Sequence, residues 1–136
     1  MALTLVRHTR PAVSGVCYGA SDVALAASFA AEAEAVAGGL VPARRLVTSP
    51  LGRCRQLAEV LTARWGVVAE VDDRWREMDF GRWEGVAWDA VPRRELDLWA
   101  ADLVGARPHG GESVGMLLDR VRGAVAALGD GTVVVT

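Results

Sequence analysis

Four short runs of apolar and β-branched residues punctuate the chain: Leu3 to Val6, Arg45 to Thr48 around Leu46-Val47, Val67 to Val71, and Thr132 to Val135. Runs this short, bounded by turn-forming residues, predict strands. Between them the apolar positions recur at helical spacing. Ser28 to Leu40 carries Phe29, Ala33, Val36 and Leu40 on one face, Leu51 to Trp65 carries Cys54, Leu57, Ala58 and Leu61, and Ser113 to Leu128 carries Met116, Leu117, Val121, Ala124 and Leu128. A further helix is predicted over Arg93 to Leu103, and each apolar face is expected to turn inward. Strands that alternate with helices of this length build βαβ units around a mainly parallel sheet covered on both faces. The expected fold class is therefore α/β, a three-layer α/β/α arrangement, with residues 1–136 forming a single domain.

Ligands of such folds bind beyond the carboxyl ends of the strands, so the residues that follow each strand carry the candidate chemistry. Arg7-His8 closes the first strand. After the second, "TSPLGRCRQLAEVL" opens a helix, with Ser49 as the expected N-cap and Pro50 in the first turn. Arg53 then lies close to the helix N-terminus, where free N–H groups and the helix dipole favour an anion and a guanidinium fork can hold two phosphate oxygens. After the third strand, "RWREMDFGRWEG" offers Glu77, Asp79 and Glu84 for proton transfer, with Trp75, Phe80 and Trp83 available to desolvate one of them. Asp79 and Glu84 are read more simply as loop pins, paired with Arg76 or Arg82. In "PHGGES" the glycines permit a tight turn, Glu112-Ser113 supplies capping oxygen and negative charge to the last helix, and His109 is expected to be a surface loop residue. Trp88 and Trp99 are compatible with stacking on a flat base at a pocket mouth and with ordinary core packing.

Composition narrows the classes of partner. With 136 residues, half of them apolar, the chain suffices for one core, and a net charge of −2 without a basic cluster argues against nucleic acid and anionic membranes. No apolar run approaches the roughly 18 residues of a membrane span, and the first residues lack the basic region of a signal peptide, so a cytoplasmic location is expected. Cys17 and Cys54 show no CxxC spacing, and His8 and His109 are the imidazoles, which suggests two reduced thiols and neither a zinc site nor a disulfide framework. Every basic residue is Arg, which a GC-rich genome explains as well as any function.

The segments "LVRHT", "TSPLGRCRQLAE", "REMDFGRWEG" and "HGGES", in that order and spacing, resemble the histidine phosphatase superfamily, also called phosphoglycerate mutase-like, over almost the whole chain. Within it, "RHTRPAVSGVCYGASDVAL" with "DFGRWEG" is most similar to bacterial α-ribazole-5′-phosphate phosphatases of cobalamin biosynthesis. The family's usual Arg-His-Gly stands here as Arg7-His8-Thr9, which removes no catalytic group. The resemblance implies that His8 is the nucleophile, Arg7 and Arg53 bind the substrate phosphate, Glu77 is the proton donor, and neither cofactor nor metal is required. The substrate it implies is a small phosphate monoester, with α-ribazole 5′-phosphate preferred on the local motifs.

Family members continue the strand equivalent to "GTVVVT" into a second histidine, whereas this sequence ends at Thr136, so the chain is expected to be an incomplete member of the family. Two further readings follow. One is a phosphoglycerate mutase, disfavoured because the connection from the Glu77 loop to "GGES" is short; the other is an inactive fragment that binds phosphate or a partner. By the same resemblance, the Thr132 to Val135 strand inserts between the two strands that precede His8 and Ser49, which puts Thr136 within roughly 10 Å of His8. The Leu3 to Val6 strand is then expected to present an open edge, a route to a homodimer.

Overall fold

The computed structural model describes residues 2–136. Its elements in chain order are β1 (Leu3–Val6), α1 (Phe29–Gly39), β2 (Arg45–Thr48), α2 (Gly52–Trp65), β3 (Ala69–Val71), α3 (Arg93–Ala101), α4 (Val114–Ala126) and β4 (Thr132–Val135), with three short 3₁₀ turns between β3 and α3. The sheet order is β1-β4-β2-β3, and every pairing is parallel. The α/β class and the insertion of the last strand between the first two are as expected.

Strand periodicity distributes the core between the two faces. Val6, Leu46, Val133 and Val135 turn toward α1 and α2, where they meet Ala33, Ala37, Cys54, Leu57, Ala58 and Leu61. Val47 and Val134 turn the other way and pack with Trp75 and with Ala124, Val121 and Val125 of α4. β4 has neighbours on both edges and on both faces, and all four of its residues are buried. A third cluster, of Cys17, Trp83 and Val91 with Phe80, Leu96 and Trp99 around it, lies where the loops after β1 and β3 meet α3. Both cysteines are free and buried, and burial with the nearby Glu84 carboxylate pushes the Cys17 thiol up to about 11.

Two expectations for helices are corrected. Met116 is 48% exposed, since the inward face of α4 runs through Val121, Ala124 and Val125, one step round the helix. Ser49 does not cap α2: that helix starts at Gly52, Ser49 Oγ accepts from Leu51 N–H at a long 3.4 Å, and the Gly52 N–H donates to the carboxylate of Asp22 at 3.0 Å. An aspartate from the loop after β1 thus supplies the anion that the α2 N-terminus favours. Ser113 does cap α4, accepting from Met116 N–H at 3.1 Å.

The loops over the carboxyl ends approach one another closely enough to need glycine. Gly81, at φ +52°, lies against the backbone of His109 and Gly111, and Gly19 lies against the backbone of Met78; any Cβ at either position would overlap those atoms. If the core lies where these contacts put it, Leu57→Ala, at a site with no exposure, destabilises the fold by about 2–5 kcal/mol. Val68→Ala, at a site 83% exposed, changes it by less than about 0.5 kcal/mol. Urea unfolding of the two variants provides the comparison.

Candidate active site

The parallel ladders bring three chain segments to one end of the sheet. Beyond β1, the His8 N–H donates to the Thr136 carbonyl at 3.0 Å, and the Thr136 N–H donates to Val6 at 2.9 Å. Thr136 therefore lies beside His8, as the strand order requires. On the other side of β4, the Ser49 N–H donates to Val135 at 2.9 Å, and the Asp72 N–H continues the pairing to Thr48 at 3.1 Å. The chain leaves β3 through the turn at Asp73–Trp75 and returns across the sheet end, where the Thr136 hydroxyl donates to the Trp75 carbonyl at 3.2 Å. Glu77 follows two residues later.

The result is a cleft of about 320 Å³ lined by Leu5, Arg7, His8, Glu77 and Thr136. Arg7 and Glu77 are exposed, while His8 is half-buried at its base. His8 Nδ1 is 2.7 Å from the Thr9 carbonyl, which can only accept, so Nδ1 carries the proton and Nε2 keeps the lone pair. Burial lowers the His8 pKa from its ordinary value. The positive charges of Arg53 and Arg7 lower it further, while the bond to Thr9 and the Glu77 carboxylate act in the opposite direction. A neutral imidazole with Nε2 free is the form that can act as a nucleophile.

Arg53 is near enough to act on His8 through its charge but does not line the cleft. Its side chain is buried, with Nη1 donating to the Ser21 carbonyl at 2.7 Å and Nη2 to Gly19, and its guanidinium lies 5.1 Å from the Tyr18 ring centre. It ties the loop after β1 to the start of α2. Asp22 on Gly52 makes a second tie between the same segments.

Glu84 and Asp79 do pin loops, but through backbone N–H groups and not through arginines. Glu84 accepts from Gly19 at 3.0 Å, Ala20 at 2.9 Å and Phe80 at 3.1 Å, which joins the loop after β1 to the loop after β3. Asp79 accepts from Gly81 at 2.8 Å. His109, expected on the surface, has no exposure: it packs 4.9 Å from the Trp83 ring and 5.8 Å from Phe80. Its Nδ1 accepts from Gly111 N–H at 2.9 Å, and burial lowers its pKa. The two glycines after it fold the turn back so that the ring enters the aromatic cluster, a consequence of tertiary packing that no local pattern announces.

Trp99 belongs to that cluster, 6.1 Å from Phe80 and 5.7 Å from Trp83, and neither Trp99 nor the 37% exposed Trp88 lines the cleft. Two residues that the sequence does not single out hold this region together. Glu95 accepts from the Trp83 indole at 2.6 Å, and Arg120 bonds to the carbonyls of Arg74 and Arg76 at 2.8 and 2.7 Å. Among the described residues there is no group of three or more His, Cys, Asp or Glu that could hold a metal ion, and no helix long and apolar enough to cross a membrane.

The family profile of the histidine phosphatase superfamily (branch 1) matches residues 3–133. Among solved structures, mycobacterial glucosyl-3-phosphoglycerate phosphatase Rv2419c superposes with a TM-score of 0.82 at 30% identity, covering 98% of this chain and 71% of that one. An Escherichia coli K-12 protein provisionally assigned as an alpha-ribazole-5′-P phosphatase gives a TM-score of 0.84 over 98% of this chain and 71% of its own, and at 22% identity that likeness is one of fold. A curated relative from Klebsiella pneumoniae, "Probable phosphoglycerate mutase GpmB", is 35% identical over 86 residues, which cover 60% of this chain and 40% of that protein. The matched stretch thus spans less than half the length of that relative.

The geometry around His8 predicts its titration. Followed by the ring-proton shift, His8 should have its midpoint below 6.5, and Arg7→Gln should raise it. Because the folded-state value is the lower one, the unfolded chain takes up the proton first, and the site costs stability as the pH falls from about 6.5 through the folded-state midpoint. A midpoint at or above 6.5 contradicts the arrangement described.

Proposed function

Because this chain belongs to the histidine phosphatase superfamily, we propose that it hydrolyses a small phosphate monoester through a phosphohistidine formed on His8. The observation that carries this reading is the cleft in which His8, with Nε2 unprotonated, lies with Arg7 and Glu77. Nε2 attacks phosphorus in line, forming a P–N bond as the P–O bond to the alcohol breaks. Arg7 neutralises charge on the phosphoryl oxygens, and the buried Arg53 adds positive charge close enough to act on the imidazole. Glu77 gives its proton to the departing alkoxide and then, as the carboxylate, takes one from the water that cleaves the P–N bond. These four side chains supply nucleophile, charge and proton, so the scheme calls on no metal.

For the substrate we favour α-ribazole 5′-phosphate. The motifs after β1 and β3 support it, as does the likeness in fold to the Escherichia coli protein. The name carried by the Klebsiella pneumoniae relative supports phosphoglycerate mutase as a second reading. Phosphate release that needs no bisphosphoglycerate primer favours the hydrolase, and strict dependence on the primer favours the mutase.

The reading extends to partners. β1 pairs with β4 and with no other strand among the described residues, and Leu5 on its face toward α4 is 58% exposed, so we propose a homodimer through that edge. Sedimentation equilibrium should give twice the mass of the chain. A monomer across the micromolar range removes this part.

The catalytic part is tested with an alkyl phosphate. His8→Ala should lower kcat/KM by at least about 10³-fold, with the unfolding midpoint close to that of the parent chain. Turnover that survives the substitution excludes His8 as the nucleophile, and an unaltered parent chain without turnover leaves a phosphate-binding role in its place.

A further inference from the structure

We propose that the Arg120–Glu112 ion pair is a positioning device that sets where the Glu77 carboxyl stands, an inference that rests on the reading of Glu77 as the acid. Glu77 has little to hold it by its own side chain. It is exposed, and the hydrogen bond found at its carboxylate comes from the adjacent Met78 N–H at 2.8 Å. Its place over the cleft therefore follows from the path of the backbone between Arg74 and Asp79.

That path is fastened from outside. Arg120, on the side of α4 toward the loops, donates through Nη1 to the carbonyls of Arg74 at 2.8 Å and Arg76 at 2.7 Å. The rest of its guanidinium forms a two-pronged bond with Glu112, Nε to Oε1 at 2.9 Å and Nη2 to Oε2 at 2.7 Å. Glu112 in turn grips the far end of the same stretch. Its N–H donates to the Asp79 carbonyl at 2.7 Å, and its Oε2 accepts from the Asp79 N–H at 3.4 Å. Glu77 is thus carried on a short bridge whose two ends are fixed by one ion pair, and that pair is anchored to α4, which Ser113 caps one residue after Glu112.

Two features suit the pair to this task. The two side chains are 17% and 14% exposed, so removing either leaves the other charge with little access to water. The planar guanidinium also meets a carboxylate and two carbonyls at once in fixed directions, which an ammonium cannot. A lysine in place of Arg120 can keep the charge pair or one carbonyl, but not the whole set.

A positioning role makes a prediction that a stabilising role does not. Protonation by Glu77 matters when the leaving group is an alkoxide and is nearly irrelevant when it is p-nitrophenolate, so misplacing Glu77 should harm one ester selectively. The experiment compares kcat/KM for a primary alkyl phosphate and for p-nitrophenyl phosphate in the parent chain, Glu77→Gln, Arg120→Met, Arg120→Lys and Glu112→Gln. Arg120→Met should lose at least about tenfold more on the alkyl ester than on the aryl ester, in the same sense as Glu77→Gln. Arg120→Lys and Glu112→Gln should show smaller selective losses. Equal losses on the two esters, or none, overturn the proposal.

Amide exchange gives an independent readout. In Arg120→Met the N–H groups of Met78 and Asp79 should exchange about tenfold faster while that of Val134 is unchanged. Should Glu77→Gln show no ester selectivity, the reading of Glu77 as the acid falls, and the amides alone decide the clamp. Unchanged protection at Met78 and Asp79 overturns it whatever the turnover.

Discussion

The parallel pairing of β4 with β1 on one side and β2 on the other is the constraint on which everything else in this molecule depends. A strand buried on both faces and hydrogen-bonded along both edges cannot shift register without turning its core residues to the opposite face. Val133 and Val135 toward α1 and α2, with Val134 toward α4, therefore fix the alignment of all three strands. Once they are aligned their carboxyl ends are aligned too. His8, Thr136 and Ser49 come to one line because the ladder continues past the strands, the His8 N–H donating to Thr136 and the Ser49 N–H to Val135.

The chemistry is built on that line by loops that are unusually well tied for irregular structure. Arg53 bonds the carbonyls of Gly19 and Ser21, Asp22 occupies the start of α2, and Glu84 holds Gly19, Ala20 and Phe80. Arg120 and Glu112 hold the stretch on either side of Glu77. Charged side chains bonded to backbone groups fix a loop at small entropic cost per contact, because the backbone they grip is already anchored at one end by a strand. A preorganised site needs such support, since its catalytic groups must stay where the reacting atoms will be.

The strands and the motif positions were largely legible in the sequence because both are local. Leu3 to Val6, Arg45 to Thr48 and Thr132 to Val135 are bounded by turn residues, and the structure gives them those same limits. Arg7, His8 and Glu77 were marked by following strands that end at one side of a parallel sheet. What escaped was set by contacts distant in sequence. His109 reads as a loop residue until the close approach of Gly81 and Gly111 brings it against Trp83. For Arg53 the sequence shows a place near the start of a helix, and only the fold shows that the carbonyls of Gly19 and Ser21 hold its terminal nitrogens. Arg120 is one arginine among many on helices, and only the folded path of residues 74–79 makes it particular.

At the centre is one imidazole whose protonated nitrogen is chosen by the Thr9 carbonyl, which leaves Nε2 with its lone pair, the atom that attacks in the function proposed above. The most direct test traps the phosphoryl group. After brief incubation with a ³²P-labelled phosphate monoester and quenching in alkali, where phosphohistidine survives, the label should be recovered on His8 as the Nε2-phosphoryl isomer. Label on Nδ1 of His8, on His109 or on any other residue would contradict the account, as would phosphate release with no labelled intermediate at any time point.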